Sequence, residues 1–332
     1  FEEAVRLGIA EVGARGVLDR GFDFVKEQAY GLPAGSEHDV KQAFAALDHA
    51  GVLCIIGPSI SDNGLIVRDL ADAAGIACIN YTGGELTRGA YMFHYQVGSL
   101  EEEPAVLASH LAGRGLPRVA VVYDESPVGR GYADWFEVAR GARGVEVTGT
   151  ASIQPLSEDA KPIIDRMMPG NPDALVYLGL GVAARTVALA VKQAGWDIPV
   201  VANSALMFGY ARPDWRADWN GWVYVDTISD RNTRRHHLRE LSRASAAGPV
   251  GVAAYDIGQL LAEGIARSAH LTRDGIRQGL ERAKRLPATS GLDGTAMGFG
   301  RYDHAALKGD FLVLRQWQDG RSVEYEKEGT PT

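Results

Sequence analysis

The chain has 332 residues, 46% hydrophobic and 23% charged, with a net charge of −8. That composition is ordinary for a globular protein and excludes a disordered tail, a coiled coil and a collagen-like rod. No run of 18 apolar residues occurs, so no segment reads as a membrane-spanning helix, and the acidic balance argues against a nucleic-acid surface.

In chain order the pattern alternates. An amphipathic helix comes first, with Val5, Leu7, Ile9, Val12 and Val17 as its apolar positions. Residues 22–28 read as a strand and 38–50 as a helix, with Val40, Phe44 and Leu47 on one face. Residues 52–56 are a continuous apolar run, the signature of a strand buried on both faces. A helix over 62–74, a strand over 76–79, a short strand over 91–96 and a helix over 101–114 follow. Past Gly115-Leu116-Pro117 the alternation restarts. Strands are predicted over 118–123, 145–153, 174–178, 199–202 and 221–228, with helices over 131–143, 158–168 and 183–194. Helices dominate 231–285. A hairpin closes the chain, 310–317 with 322–326, turned at Gln318-Asp319-Gly320.

Such alternation implies βαβ units and parallel sheets. Its restart predicts an α/β protein of two doubly wound lobes. Ligands then bind at loops leaving the carboxyl ends of strands. Those loops are 57–62, 80–86, 124–131, 178–183 and 203–210.

Most tests for catalysis fail. There is no Walker loop, no G-x-S-x-G, no H-E-x-x-H and no C-x-x-C. Adjacent His236 and His237 stand among Arg234, Arg235 and Arg239 and read as a solvated basic face, not a metal site. Asp124, Glu125, Asp226 and Asp256 lack the spacing of an acid–base pair. Cys54 and Cys78 each lie inside an apolar run and read as buried free thiols. Gly179-Leu180-Gly181-Val182-Ala183-Ala184 matches G-x-G-x-x-A after a strand, the context of a dinucleotide turn. It lies in the third unit of its half, however. Asp197 precedes the next strand, and Asn203 stands where the fingerprint wants an acid. The alternative is a tight turn beside a ligand or helix.

Residues 57–63, Gly-Pro-Ser-Ile-Ser-Asp-Asn, leave a buried strand and enter a helix. Free N–H groups and the dipole favour an anion there, with Ser61 as a hydroxyl donor. The competing reading is plain N-capping by Ser61 or Asp62. Asn80-Tyr81-Thr82-Gly83-Gly84 forms the adjacent loop.

The run Gly57-Pro58-x-x-Ser61, then Ala74-Gly75-Ile76, then Glu85-Leu86-Thr87-x-Gly89 resembles the type I periplasmic binding proteins. More narrowly, it resembles the leucine/isoleucine/valine-binding branch of ABC-importer receptors. Arg118 to Asp124 with Gly129-x-Gly131 is similar to that family's first strand and turn in lobe two. Gly248-Pro249 with Ala254-Tyr255-Asp256, and Leu307 to Phe311 with Gln316-Trp317 and Asp319-Gly320, extend the likeness in order along the chain.

The resemblance implies two Rossmann-like lobes closing on a small ligand in the cleft between them, without chemistry. Lobe 1 would be 1–116 with 250–315, and lobe 2 would be 117–249 with 316–332, hinged near Leu116, Ala247 and Arg315. Ser61 and Thr82, with the backbone of Gly83, match the positions that hold a ligand carboxylate. Tyr81, Leu180, Gly181, Ser204, Met207 and Tyr255 complete the expected binding set. No catalytic residue, metal or cofactor is implied. The partners would be a small molecule and an ABC permease, and the chain a monomer or weak dimer. The location would be periplasmic or otherwise extracytoplasmic, with or without a lipid anchor. The family begins with a central strand before its first helix, so a strand and a signal sequence are expected to precede residue 1 in the precursor.

The family's lobe-two acid, which pairs with a ligand ammonium, falls at Ser204 here. Burying an ammonium without a carboxylate costs several kcal/mol. Unless Glu101, Asp124 or Asp226 supplies the charge, the expected ligand has a carboxylate or amide end, an apolar or aromatic body, and no ammonium. Leu206, Met207, Phe208 and Tyr210 would be its wall or part of the core. Two other functions share the sequence features: a ligand-sensing domain of a signalling receptor, and a dinucleotide-dependent oxidoreductase built on the Gly179 turn.

Overall fold

The computed structural model describes residues 1–325; Glu326, the expected end of the hairpin, lies outside them. The chain opens with α1 (Glu2–Gly13) and α2 (Glu37–His49). Then come β1 (Cys54–Ile56), α3 (Ser61–Ala74), β2 (Ala77–Asn80) and β3 (Met92–His94). Next are α4 (Glu103–Gly113), β4 (Arg118–Asp124), α5 (Pro127–Gly141), β5 (Glu146–Ile153), α6 (Lys161–Met167), β6 (Ala174–Leu178), α7 (Ala184–Gln193), β7 (Val200–Ala202), the short α8 (Phe208–Ala211) and β8 (Val223–Asp226). α9 (Thr233–Leu241), α10 (Pro249–Ala266) and α11 (Arg273–Leu280) lead to the two-residue strands β9 (Leu286–Pro287), β10 (Ala296–Met297) and β11 (Leu307–Lys308). The hairpin β12 (Val313–Gln318) and β13 (Arg321–Glu324) follows.

Two compact units result. Unit 1 is Phe1–Val97 with Thr227–Phe311; unit 2 is Gly98–Asp226 with the chain from Leu312 onward. The boundaries differ from the expected 116/117, 249/250 and 315/316. α4 belongs to unit 2 because Leu107, Ala108 and Leu111 pack with Val119 and Val121 of β4 and Phe136 of α5. Residues 227–249 belong to unit 1, where Asn232 donates to the carbonyls of Ala288 and Gly291.

In unit 1, β1, β2 and β3 form a parallel sheet in that order, and β9–β11 form a small antiparallel one. Residues 22–28 are not a strand. A strand exists only where its N–H and C=O groups meet a neighbour. This segment runs unpaired and largely exposed, with Val25 at 51%; Phe24 lies under the Arg6 guanidinium instead. Cys54 pairs with Ala77 and Cys78 with Ile55, so the two thiols face opposite sides of the sheet and both are free.

α1 lies on α10 at backbone contact. A Cβ on Gly8 would fall 2.1 Å from the carbonyl oxygen of Tyr255, and one on Gly258 2.2 Å from that of Val5. Tyr255 itself is fully buried in this pairing, and its hydroxyl donates to Glu11. It is a core residue, and this corrects its assignment to the ligand site.

Unit 2 carries a seven-stranded sheet, order β13-β12-β8-β7-β6-β4-β5. β5, β4, β6, β7 and β8 are parallel, and β12 and β13 are antiparallel additions. Both faces are covered. Val119 and Val121 pack toward α4 and α5, while Ala120 and Val122 pack toward α6 and α7. That is why 118–123 is apolar without alternation.

The α1–α10 contact generates a paired prediction. Gly8→Ala and Gly258→Ala each force the helices apart and should cost about 1–3 kcal/mol. Gly13→Ala, whose Cβ meets nothing nearer than 3.8 Å, should be neutral or stabilising. Urea midpoints of the three variants check this, and equal midpoints would sink it.

Candidate functional site

In unit 1, Tyr81 N–H donates to the Pro58 carbonyl (3.1 Å), which holds the loops after β1 and β2 side by side. Ser61 and Asp62 are not caps. They are the first helical residues of α3, the N-cap residue is Ile60, and no side chain caps the helix. Ser61, Asp62 and Asn63 are each only 7% exposed. A buried helix start without a cap leaves N–H groups that an anion can satisfy. Ser61 lies against Gly84, where a Cβ would sit 2.9 Å from its Oγ. Asn63 is spent on the Leu32 N–H (2.9 Å) and carbonyl (3.2 Å). Asp62 Oδ1 is buried without a hydrogen-bond partner, and burial raises its pKa.

Tyr81 and Gly83 are half-buried, and Tyr81 stacks on Phe1 with centroids 4.6 Å apart. Thr82 turns inward. Its hydroxyl donates to Asn80 Oδ1 (2.9 Å) and accepts from Gly84 N–H (3.3 Å). Its carbonyl accepts from Val97 N–H (2.9 Å) and His94 Nε2 (2.8 Å). With its side chain 1% exposed, Thr82 shapes the loop, leaving the half-buried Tyr81 and Gly83 as its more accessible residues. His94 is fully buried, and Arg88 Nε donates to its Nδ1 (3.2 Å). The partners fix the neutral Nε2–H tautomer. Burial lowers its pKa to about 3, a fall opposed by the Thr82 bond and reinforced by Arg88.

In unit 2, Asp124 ends β4 and accepts from Tyr177 Oη (2.6 Å) and Leu180 N–H (2.7 Å). Burial pushes its carboxyl up to about 6 against those bonds. Asn203 clasps Gly179 through Gly179 N–H (3.0 Å) and the Gly179 carbonyl (2.9 Å). A Cβ on Gly179 would strike the Asp124 carboxyl at 2.2 Å, and one on Gly181, at φ +93°, the Ala205 carbonyl oxygen at 2.3 Å. The glycines therefore serve close packing, and the amides that a pyrophosphate would need are taken by Asp124 and Asn203. This removes the physical basis of the dinucleotide reading.

Ser204 is half-buried and bonds to Glu103. Its N–H donates to Oε2 (2.5 Å) and its Oγ lies 3.0 Å from Oε1. Leu180 and Met207 are half-buried and pack on the two core clusters. Leu206 is core, and the Tyr210 hydroxyl donates to Asp226 (3.0 Å). Phe208 alone of that run stays well exposed, at 38%, stacked on Trp215.

Ser61, Tyr81, Thr82 and Gly83 thus converge in unit 1, and Leu180, Gly181, Ser204 and Met207 in unit 2. The sequence offers Asp62 only as a cap and singles out neither His94 nor Glu103, both fully buried. Glu103 ends an acidic run, Glu101-Glu102-Glu103, that reads as a solvated helix start. The one available signal is the spacing Ser99-x-x-Glu102, the pattern of a capping box, which marks the turn and not Glu103 itself.

The buried histidine predicts a pH response. The native state keeps His94 neutral down to about pH 3, while the unfolded chain protonates near 6.5. Stability from this group is therefore present above 6.5 and is lost as pH falls, by up to about 1.4 kcal/mol per pH unit. Glu103, raised to about 7, and Asp124, raised to about 6, act with opposite sign, losing stability as pH rises through those windows. His94→Gln should flatten the acid limb in urea titrations at pH 5 and 7; an unchanged pH slope would refute the assignment.

Known proteins share the fold. Leu/Ile/Val-binding protein homolog 3 of Brucella melitensis is 21% identical over 290 residues, 83% of this chain and 76% of the relative. An ABC transporter substrate-binding protein from Desulfitobacterium hafniense, solved with Leu, superposes with TM-score 0.80 at 20% identity, covering 98% of this chain and 95% of that one. The branched-chain amino acid transporter substrate-binding protein LivJ of Streptococcus pneumoniae, solved with isoleucine, gives TM-score 0.83 at 16% identity, covering 97% and 91%. These structures share the type I periplasmic binding protein fold. The model of the periplasmic binding protein family matches residues 1–321, and the chain belongs to that family.

Proposed function

We propose that this chain is the solute-binding receptor of an ABC importer, capturing a small ligand through a carboxylate or amide end, without chemistry. The observation that carries the reading is the buried, uncapped start of α3, flanked by the Ser61 hydroxyl and the glycine-rich loop after β2. An anionic or carbonyl oxygen there gains backbone N–H donors, a hydroxyl donor and the positive end of a 14-residue helix. Relatives solved with Leu and isoleucine, and described as transporter substrate-binding proteins, support both the ligand size and the import role. The two-lobe closure implied by the resemblance, a permease partner and an extracytoplasmic location belong to the same proposal.

The ligand is accessible by native mass spectrometry of the protein as purified, followed by calorimetry with the compound identified. Ser61→Ala should weaken binding of a carboxylate ligand roughly tenfold or more, the worth of a hydrogen bond to a charged group. The melting temperature of the free protein should barely move. An unchanged affinity would overturn the α3 site. A melting shift with a nicotinamide dinucleotide would instead restore the oxidoreductase reading.

A further inference from the structure

Asp62 breaks a rule that other buried acids of the molecule obey. Asp124 meets Tyr177 Oη and Leu180 N–H, and Asp256 meets Tyr95 Oη and Thr289 N–H. Asp62 is buried too, at 7% exposure, yet its Oδ1 has no hydrogen-bond partner. A carboxylate oxygen left alone inside a protein is costly, and burial accordingly raises the Asp62 pKa. The next residue offers the contrast, since Asn63 spends its side-chain amide on Leu32.

Position gives this orphan a use. Asp62 is the second residue of α3, and the first internal bond of that helix runs from Gly64 N–H to the Ile60 carbonyl (2.9 Å). The amides of Ser61, Asp62 and Asn63 precede that bond, and no side chain caps them. Side chains on an α-helix lean toward its N-terminus, so the Asp62 carboxyl leans toward the same open end. The loop after β2 closes in on that end. A Cβ on Gly64 would meet Thr87 Cγ2 at 2.6 Å, and one on Gly84 would meet Ser61 Oγ at 2.9 Å. One corner of unit 1 thus carries N–H donors, a hydroxyl and a carboxylate oxygen that has nothing to accept from.

A carboxylate ligand answers only half of that corner. Its oxygens accept from the amides, but it has no proton to give Asp62, and the two negative charges repel. A carboxamide answers both halves, because it carries an acceptor and a donor on neighbouring atoms. We infer that the α3 corner recognises a neutral carboxamide end, its oxygen on the uncapped amides and the Ser61 hydroxyl and its N–H on Asp62, a role that rests on the receptor reading and chooses between the two end groups that reading allows. A site built to accept from an N–H rejects the analogue that lacks it, since the buried acceptor is then left unpaired.

Calorimetry on the full chain with matched pairs tests this: 4-methylpentanamide with 4-methylpentanoate, and 3-phenylpropanamide with 3-phenylpropanoate, at pH 8 to keep Asp62 ionised. The amide member should bind roughly tenfold tighter or more, the worth of a hydrogen bond to a charged group. Asp62→Asn, which can turn an N–H toward the ligand, should abolish the preference by strengthening the carboxylate member. Ser61→Ala should weaken both members alike and leave the preference in place. Equal affinities in the unsubstituted protein, or a tighter carboxylate, overturn the carboxamide assignment while leaving the receptor reading intact. An amide preference that survives Asp62→Asn overturns it as well. Binding of none of the four compounds overturns both.

Discussion

A carboxylate shut away from water calls for donors, and meeting that call shapes the candidate loops of unit 2 and a buried junction in unit 1. In unit 2, Asp124 fastens the turn after β6 and Glu103 fastens the turn after β7. In unit 1, Asp256 of α10 accepts from Tyr95 Oη (2.6 Å) and from Thr289 and Ser290 N–H, tying the segment after β3 to the loop before β10. Apolar packing sets where the strands lie. It does not set the conformation of a glycine-rich loop, whose backbone groups have few side chains to lean on. The buried acids do so, and removing one would leave several oriented N–H groups unsatisfied at about 1–3 kcal/mol each.

The strands of unit 2 were legible because a sheet covered on both faces needs apolar residues at every position, as 118–123 and 174–178 show. Residues 22–28, Phe-Asp-Phe-Val-Lys-Glu-Gln, carry only three apolar residues and form no strand, because local composition reports a willingness to pair and not the presence of a partner. The unit boundaries were misplaced by about twenty residues at two crossings. A proline-bounded break such as 115–117 looks like a domain edge, yet α4 is held to β4 and α5 by packing that only three dimensions reveal. The anion-friendly loops were legible from glycine, serine and position after a strand. The division of labour within them was not. Thr82 and Ser61 look equivalent on paper, but one hydroxyl is spent on Asn80 and the other lies beside an open helix start. Tyr255 followed a family motif into the candidate set, although a tyrosine one turn before a backbone-to-backbone glycine contact belongs to the core.

The candidate loops of the two units differ in their electrostatics. The α3 terminus in unit 1 offers unpaired N–H groups and suits an oxygen. The Ser204 corner in unit 2 has its N–H and hydroxyl already engaged by Glu103. Their protonation behaviour is opposed as well. Neutral His94 supports the first loop and favours higher pH, whereas the raised carboxyls of unit 2 favour lower pH. A pH profile of overall stability would therefore hide both, and only substitution separates them.

The order of segments along the chain has a consequence for folding. β12 lies antiparallel against β8, with Val313 opposite Asp226. Trp317, 1% exposed, stacks on Tyr224, and a Cβ on Gly209 would fall 2.3 Å from its ring. Between β8 and β12 the ribosome makes residues 227–311, all of which belong to the other unit. Throughout that interval the β8 edge has no partner and the indole's place is empty. Unit 2 therefore completes its sheet only after residues 227–311 of the other unit have been made, so its edge hairpin is a late-arriving element whose pairing spans a large sequence separation.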